Sequence, residues 1–276
     1  MKIISYSISF IGQRLKNQDS ITETIIDKER EIYFFAIADG MGGLDSGETA
    51  SQTAIEQSTG YLKEYFSSHL TSFDLKCALT NAIKTADKEI MNIVEKKTEI
   101  KSMGTTLTCI LIAGNEYIVG NIGDSRTYYF NSQSMFQITQ DHSAIEDYRR
   151  KRGYYPEDAT MKYIDHLVTR CLGFGIYKPD IFPVDKASYT LKENSGYLLC
   201  SDGLIIDKRE TYLTQLYNYV IRINDLKACA ESLIRYAIQR GSNDNISVIL
   251  VEIGNFKKRN IPLSKYTDLL KGTLKQ

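Results

Sequence analysis

The fold is predicted from one stretch of the sequence, Ile32-Tyr33-Phe34-Phe35-Ala36-Ile37-Ala38-Asp39-Gly40-Met41-Gly42-Gly43. Residues 32–38 are mostly apolar and rich in aromatic side chains, which is typical of a strand buried on both faces. The run stops at the carboxylate of Asp39 and a cluster of glycines. A buried strand holds its last side chain rigidly, and glycines let backbone carbonyls and a ligand approach closely. Because Asp-Gly is also a strong turn dipeptide, this stretch alone favours an ordinary turn.

Three more strand-like segments have an aspartate at one end. Asp124 and Asp202 each follow a predicted strand, and Asp244 stands just before one. With Asp39 they make four carboxylates that could meet at one edge of a sheet. Buried like charges without a counter-ion cost several kcal/mol each, and hard divalent cations with oxygen ligands are the usual compensation. The recurrence therefore favours a metal site over a turn at Asp39.

Length and charge favour one globular domain that does not bind nucleic acid. The chain has 276 residues and 42% hydrophobic content, enough for a large core. No Pro/Gly/Ser-rich linker, repeat or low-complexity tract interrupts it. Its 34 basic and 34 acidic side chains give zero formal charge, whereas a nucleic-acid-binding protein usually has a basic excess.

The N-terminus and the cysteines predict a cytoplasmic protein without a membrane span. Residues 1–10 alternate apolar and polar side chains, as a strand does and a signal peptide does not. No apolar run approaches the roughly 20 residues that span a bilayer. The five cysteines are widely spaced and form no Cys-x-x-Cys pair, which indicates reduced thiols rather than disulfides or a zinc site.

Helical and strand periodicities follow one another in blocks. Two long helices, beginning at Asp45 or Ser46 and near Ser72, are followed by strands, which predicts a helical layer against a sheet. Short polar connections between the next strands indicate antiparallel pairing. We predict strands at residues 1–10, 21–26, 32–38, 105–113, 117–122, 126–130, 135–138, 191–201 and 246–253, and later helices at 212–220 and 225–239.

Two segments fall outside this pattern. Residues 144–169 are polar, rich in tyrosine and weakly periodic, which predicts an excursion or flap with some helix. Residues 255–276 are rich in lysine and are predicted to be a solvated basic tail. We therefore expect one domain over residues 1–254, with the flap inside it and the tail beyond it.

Eight short motifs stand in the same order as in a known family. They are Arg14-x-x-Asn17-Gln18-Asp19, Asp39-Gly40-Met41-Gly42-Gly43, Gly47-Glu48-x-Ala50-Ser51, Met103-Gly104-Thr105-Thr106, Asn121-Ile122-Gly123-Asp124-Ser125-Arg126, Asp141-His142-Ser143, Ser201-Asp202-Gly203 and Asp244-Asn245. Over residues 7–253 the chain resembles the protein phosphatase 2C family, the metal-dependent serine/threonine phosphatases, in a bacterial-like form. The resemblance implies an α+β fold, a four-layer α-β-β-α sandwich with two antiparallel sheets between helix pairs, and makes residues 1–254 the phosphatase domain.

The resemblance also implies a set of metal ligands. Asp39 matches the carboxylate that bridges two metal ions, and Gly40 matches the residue whose carbonyl binds one of them. Asp202 and Asp244 match ligands of the second ion, and Asp19 matches the acid that holds metal-bound water. The implied cofactors are two Mn²⁺ or Mg²⁺ ions.

Two more positions complete the implied catalytic set. Asp124 matches the acid that, with Asp202, holds a third ion in bacterial members, and Arg14 matches the arginine that binds the substrate phosphate. A planar guanidinium binds phosphate through two hydrogen bonds, and a two-metal site activates a water and neutralises phosphoryl charge. The resemblance therefore implies direct hydrolysis of a phosphomonoester by a metal-activated water, with Arg14, Asp39 and Asp202 as the catalytic residues.

Two positions depart from patterns common in the family. Many members, chiefly eukaryotic, have a histidine after the Asp-Gly pair as a proposed general acid, whereas Met41 stands here and its thioether donates no proton. We expect metal-bound water to supply that proton. Gln18 occupies a position where a glutamate often precedes the aspartate, which weakens one expected water contact.

The resemblance implies the biological role as well. We expect phosphorylated serine/threonine proteins as substrates, a separate serine/threonine kinase that opposes this chain, and a monomer. Two alternatives stay open. One is a binding or regulatory module of the same fold with weak or no catalysis, which only Met41 favours. The other is a metal-dependent hydrolase of small phosphoesters.

Overall fold

The computed structural model describes residues 1–42, 46–96, 102–155, 164, 167–175, 178–206 and 210–256. Two antiparallel sheets lie face to face and helix pairs cover their outer faces, so the predicted four-layer α+β sandwich is confirmed. The strands are β1 (Ile3–Phe10), β2 (Asp19–Asp27), β3 (Ile32–Gly42), β4 (Met103–Thr105), β5 (Leu107–Ala113), β6 (Glu116–Ile122), β7 (Arg126–Asn131), β8 (Met135–Gln137), β9 (Asp180–Phe182), β10 (Tyr189–Thr190), β11 (Ser195–Cys200) and β12 (Ile246–Ile253). The helices are α1 (Ser46–Ser68), α2 (Leu75–Lys96), α3 (Ala144–Arg152), α4 (Glu210–Arg222) and α5 (Leu226–Gln239).

The sheet order places the strands that carry the aspartates near the middle of the sandwich. One sheet has five strands in the order β1-β12-β11-β7-β8. The other has seven, with β10-β6-β5-β3-β2 in order, β4 paired with β3, and β9 paired with β6. Asp39 lies on β3, Asp202 lies two residues beyond the end of β11, and Asp244 shortly precedes β12.

Side chains on the central strands alternate between two apolar cores, which explains the continuous apolar runs in the sequence. On β3, Phe34 and Ala36 face helices α1 and α2, whereas Phe35 and Ile37 face the opposite sheet. Strands β11 and β12 alternate in the same way between helices α4 and α5 and the space between the sheets. The sandwich therefore has three apolar layers between four layers of secondary structure.

Strand β3 is longer than predicted. It does not stop at Asp39 but continues to Gly42, and its last three residues pair with β4. The Asp-Gly pair is therefore part of a strand and not a turn. Pairing with β4 supplies the backbone partners that a strand end would otherwise lack, and only the non-local contact reveals this.

The polar link at residues 123–125 is not a hairpin, so the prediction of antiparallel pairing across it is wrong. Strand β6 pairs with β5, β9 and β10, whereas β7 pairs with β8 and β11 in the other sheet. The chain crosses from one sheet to the other at this link. A short polar connection indicates a change of direction, but it does not specify which strand becomes the neighbour.

Some element boundaries also differ from the prediction. The predicted strand at 191–201 is shorter, since β11 begins at Ser195. Helix α2 begins at Leu75 rather than near Ser72, because the Oδ1 of Asp74 accepts the N–H of Cys77 at 3.0 Å and so caps the first turn.

The described residues cover only part of two predicted segments. The predicted excursion at 144–169 begins with α3. The predicted cap at Asp45, the excursion residues 156–163 and 165–166, and residues 257–276 of the predicted tail lie outside the described residues. Within the described ranges, no helix is long and apolar enough to cross a membrane.

Truncation of Phe34 tests the helix–sheet core. Phe34 is fully buried between β3 and the α1–α2 pair, so Phe34→Ala should lower the free energy of unfolding by about 3–5 kcal/mol. Phe136→Ala is the matched control, because Phe136 is 55% exposed on β8 and should change the free energy by less than about 1 kcal/mol. Urea denaturation of both variants measures the difference, and equal losses would contradict this placement of Phe34.

Candidate metal centre

Asp39 is fixed through its main chain by two neighbouring threonines. Its N–H donates to the Oγ1 of Thr106 at 3.0 Å. Its carbonyl accepts the N–H of Thr106 at 2.9 Å and the hydroxyl of Thr105 at 2.8 Å. With both main-chain groups held by the β4–β5 link, the carboxylate of Asp39 projects from a rigid backbone.

Gly40 is required by close approach of the backbone on both sides of β3. A Cβ at this position would lie 2.0 Å from the carbonyl oxygen of Gly47, at the start of α1, and 2.7 Å from that of Gln18. The N–H of Gly40 donates to the same Gln18 carbonyl at 3.1 Å. Any side chain would push the helix and the loop away from β3, which explains why glycine follows Asp39.

Asp19 joins the two sheets and keeps one oxygen without a hydrogen bond. It lies opposite Asp39 in the β2–β3 ladder and is 8% exposed. Its Oδ2 accepts the hydroxyls of Ser201 at 2.8 Å and Ser247 at 2.7 Å, both from the opposite sheet. Its Oδ1 is buried and has no hydrogen-bond partner. A buried carboxylate oxygen of this kind calls for a cation.

Three more aspartates surround a cleft beside this pair. The cleft has a volume of about 200 Å³, and Asp124, Asp202 and Asp244 line it. Asp124 lies on the crossing between β6 and β7, and Asp202 begins a single 3-10 turn, Asp202–Leu204, after β11. The link that crosses between the sheets and the ends of two strands therefore bring acids from three parts of the chain to one cleft.

The acids shift one another's pKa values. Burial, followed by the charges of Asp19, Asp202 and Asp124, raises the pKa of Asp39 well above its ordinary range, and a hydrogen bond with Asp202 adds to this. Burial raises the pKa of Asp19 to about 7, against the hydroxyls of Ser247 and Ser201, which lower it. Burial and the neighbouring acids therefore disfavour the charged form of both carboxyls when no cation is present.

The donor set suits hard divalent cations held partly by water. Within the ranges that the structure describes, no three acidic, cysteine or histidine side chains already converge on one point. Mg²⁺ is commonly bound by one or two carboxylates together with several waters, so such a group of three is not needed. Three features fit this kind of ion: the buried Asp19 oxygen that has no hydrogen-bond partner, a donor set made only of oxygens, and the raised pKa values of Asp19 and Asp39.

Arg14 stands at the mouth of the cleft on a loop anchored by Asn245. Its Nη2 donates to the Oδ2 of Asp244 at 2.7 Å, and both side chains are partly exposed, 56% and 35%. The side chain of Asn245 donates to the carbonyls of Ile11 at 2.8 Å and Lys16 at 3.0 Å, on either side of Arg14. The hydrogen bond and charge of Asp244 raise the pKa of Arg14, so the guanidinium stays charged.

A buried ion pair forms one wall of the cleft. The Nη2 of Arg126 donates to the Oδ2 of Asp141 at 2.6 Å, and its Nε donates to Oδ1 at 2.9 Å. The Nη1 of Arg126 donates to the hydroxyl of Tyr128, and Gln137 donates to Asp141. With its donors engaged in this way, Arg126 acts as part of the wall rather than as a free phosphate ligand.

The structure brings together all the site residues predicted from the sequence. Arg14, Asp19, Asp39, Gly40, Asp124, Asp202 and Asp244 lie around this cleft and the adjoining ladder. Roles for Ser201, Ser247 and Asn245 were not predicted from the sequence. Serine and asparagine are common at strand ends and loops, so their identity alone gives no signal of these contacts.

Known proteins resemble the chain in sequence and in fold. The family model for protein phosphatase 2C matches residues 8–246. The serine/threonine phosphatase stp of Listeria monocytogenes is 33% identical over 217 residues, which are 78% of this chain and 82% of that protein. The catalytic domain of the serine/threonine protein phosphatase PstP, crystallised with two manganese ions, has a TM-score of 0.74 and 30% identity, covering 92% of this chain and 99% of that one. Stp1 of Staphylococcus aureus has a TM-score of 0.77 and 25% identity, covering 92% and 96%.

Metal removal should expose the charge of Asp19 in the pH dependence of stability. In the folded protein the pKa of Asp19 is about 7, above the ordinary 3.8. The contribution of its protonated carboxyl to the free energy of unfolding is therefore fully present below pH 3.8 and is lost as the pH rises to about 7. In a chelator, Asp19→Asn should therefore have a higher free energy of unfolding than wild type above about pH 7, and this gain should shrink towards about pH 4.

Urea denaturation in EDTA across this pH range measures the difference. Asp27→Asn is the matched control at the other end of β2, because hydrogen bonds from Arg30 lower the pKa of Asp27 and its loss gives no such gain. A stability difference between Asp19→Asn and wild type that does not change with pH would contradict the prediction.

Proposed function

Because the chain belongs to the protein phosphatase 2C family and is a metal-dependent serine/threonine phosphatase, we propose that the acidic cleft is its catalytic centre. Mn²⁺ or Mg²⁺ is the cofactor. The observation that carries the proposal is the convergence of carboxylates from separate segments at one cleft and the adjoining ladder, where the buried Oδ1 of Asp19 has no hydrogen-bond partner. Stability alone would not favour uncompensated like charges here.

We assign the metal-holding groups to five carboxylates and one carbonyl. Asp39 and the carbonyl of Gly40 would hold the first ion, Asp202 and Asp244 with Asp39 would hold the second, and Asp19 would hold water beside them. Asp124, with Asp202, would hold a third ion. When bound, such ions lower the pKa of a coordinated water and neutralise charge on the phosphoryl oxygens.

Arg14 binds and orients the substrate phosphate in this proposal. Its guanidinium lies at the cleft mouth, is partly exposed and donates a hydrogen bond to one cleft acid, Asp244. A surface ion pair of this kind is worth about 0–1 kcal/mol, so a phosphate dianion competes for Arg14 readily. The anchored loop leaves the side chain free to turn while its Cα stays in place.

Among the described residues, no histidine in the cleft wall takes the place of the general acid that Met41 lacks. Met41 lies on β3 beyond Gly40 and has no transferable proton. Of the histidines, His69 and His142 are within the described residues, and neither lines the cleft. We therefore propose that the leaving alkoxide takes its proton from water held by the aspartates rather than from a histidine.

The setting of the enzyme is also a proposal. The described chain has five free cysteines, four of them buried, which suits a reducing cytoplasm. We propose a cytoplasmic monomer that acts on phosphorylated serine/threonine proteins and opposes a serine/threonine kinase. We also propose that residues 1–254 form the phosphatase domain, that 144–169 form a flap, and that 255–276 are a basic tail.

Loss of one carboxylate tests the assignment of the centre. Asp39→Asn should abolish hydrolysis of an aryl phosphate in Mn²⁺, because it removes charge from the group shared by two ions, and EDTA should do the same to wild type. Asp27→Asn, a surface change on the neighbouring strand, should retain full turnover. Full activity of Asp39→Asn would place the catalytic centre elsewhere.

The same enzyme preparation tests the substrate class. The value of kcat/KM on phosphothreonine peptides should exceed that on nucleotides and sugar phosphates. A clear preference for the small esters would overturn the proposed protein substrates while leaving the metal centre intact.

Removal of Arg14 should act mainly on binding. Since a hydrogen bond to a charged group is worth about 1.5–3 kcal/mol, Arg14→Ala should raise KM by roughly 10- to 100-fold and lower kcat less. Lys16→Ala is the control, because the proposal gives its side chain no role on the same loop. An unchanged KM for Arg14→Ala in steady-state assays would contradict the phosphate-binding role.

A further inference from the structure

His142 holds both main-chain groups of Gly123, the residue before Asp124. The N–H of His142 donates to the Gly123 carbonyl at 2.9 Å, and its Nδ1 lies 3.1 Å from the Gly123 nitrogen. The amide of Asn121 donates to the same carbonyl at 3.2 Å. His142 is fully buried, so these contacts have no competition from solvent. The link at residues 123–125, where the chain crosses between the sheets, is therefore held at Gly123, one residue before Asp124.

The contact with Gly123 determines which imidazole nitrogen carries the proton. A backbone N–H can only donate, so Nδ1 must be the acceptor and the proton must lie on Nε2. Nε2 is 3.0 Å from the Oδ2 of Asp180, which accepts that proton in a hydrogen bond. Burial lowers the pKa of His142, which also favours the neutral ring. Asp180 thus selects the one tautomer that can hold Gly123.

Asp180 is itself fixed from two sides. It lies on β9 opposite Asn121 of β6, and its Oδ1 accepts the Nη1 of Arg170 at 3.1 Å. The carbonyl of His142 accepts the N–H of Thr169 at 2.8 Å. The last residue of the predicted flap, Thr169, is therefore tied to the main chain of His142, and the next residue, Arg170, is tied to its side chain through Asp180.

The crossing has little room for another conformation. Gly123 has a φ of +106°, and a Cβ there would lie 2.5 Å from the Cβ of Thr106. On the far side of Asp124, Ser125 shares a 2.7 Å hydrogen bond with the hydroxyl of Thr106. Asp124 is therefore held between two fixed neighbours, and His142 supplies one of the two restraints.

We propose that His142 is a positioning residue for Asp124, and that Asp180, oriented by Arg170, keeps its imidazole in the tautomer that this role requires. The inference rests on the proposed role of Asp124 in holding the third ion. Through His142, Thr169 at the end of the predicted flap and the next residue, Arg170, help to set the position of the Asp124 carboxylate in the proposed catalytic centre.

Asp180→Asn is the sharpest test of the tautomer. Arg170 can only donate, so the oxygen of the new amide should turn towards it and the NH₂ should face His142. Nε2 would then become an acceptor, the proton would move to Nδ1, and the bond from Gly123 would be lost. Long-range ¹H–¹⁵N spectra of the metal-free protein should show the Nε2–H tautomer in wild type and its loss in Asp180→Asn.

Metal binding provides the second readout. In Mn²⁺ titrations, Asp180→Asn should lower the affinity for the weakest-bound ion by roughly 10- to 100-fold and leave the affinities for the other ions unchanged. This is the effect expected for a group that orients a ligand. His142→Gln, which lacks an acceptor at the Nδ1 position, should do the same. Asp185→Asn is the matched control, since Asp185 is an exposed carboxylate just after β9, whereas the carboxylate that meets His142 is that of Asp180.

Asp124→Ala in the same titration separates failure of this inference from failure of the proposed function. If Asp124→Ala loses the weakest-bound ion but Asp180→Asn and His142→Gln keep it, the positioning role is overturned and the role of Asp124 stands. If Asp124→Ala itself keeps every ion, the assignment of Asp124 is wrong and the inference falls with it. An unchanged His142 tautomer in Asp180→Asn would also overturn the role given to Asp180.

Discussion

Crowding of carboxylates at the junction of two sheets is the constraint on which the rest of this structure depends. Asp19 and Asp39 face each other across a ladder, and Asp202 contacts Asp39 from the opposite sheet. Burial and mutual repulsion raise the pKa values of the first two, so the fold holds them there against their own electrostatics. Such an arrangement persists because the apolar layers on either side of each sheet are extensive enough to offset it.

The groups that orient these acids are hydroxyls and backbone amides rather than cations. Ser201 and Ser247 donate to Asp19, and Thr105 and Thr106 hold the main chain of Asp39. Neutral donors fix the orientation of a carboxylate but leave most of its negative charge in place. A buried arginine would neutralise that charge and compete with a metal ion. The one buried arginine of the cleft wall among the described residues, Arg126, is paired with Asp141 instead. The selection of partners therefore keeps the centre available for cations.

The sequence predicted the positions of the aspartates better than it predicted their surroundings. A buried apolar run that leads to an acid is a local pattern, and the structure has Asp39 on β3 and Asp202 two residues beyond β11. The extension of β3 to Gly42 depends on β4, and the crossing at 123–125 depends on which sheet accepts β7, so neither follows from local periodicity. The same limit explains why Ser247 was not identified, since an alternating strand residue gains its role only when Asp19 arrives from the other sheet.

The proposed roles give Arg14 and the acids contrasting environments, which bears on product release. The acids are fixed by main-chain bonds and backbone contacts, as at Gly40 and Gly47, where a methyl group would not fit. Arg14 has a fixed Cα but a 56% exposed side chain whose pair with Asp244 is cheap to break. In the proposed role, a guanidinium that exchanges Asp244 for a phosphate would lose little in either state, so it would bind substrate without trapping inorganic phosphate. The structure thus buries carboxylates such as Asp19 and Asp124 and exposes the guanidinium that is proposed to meet the substrate.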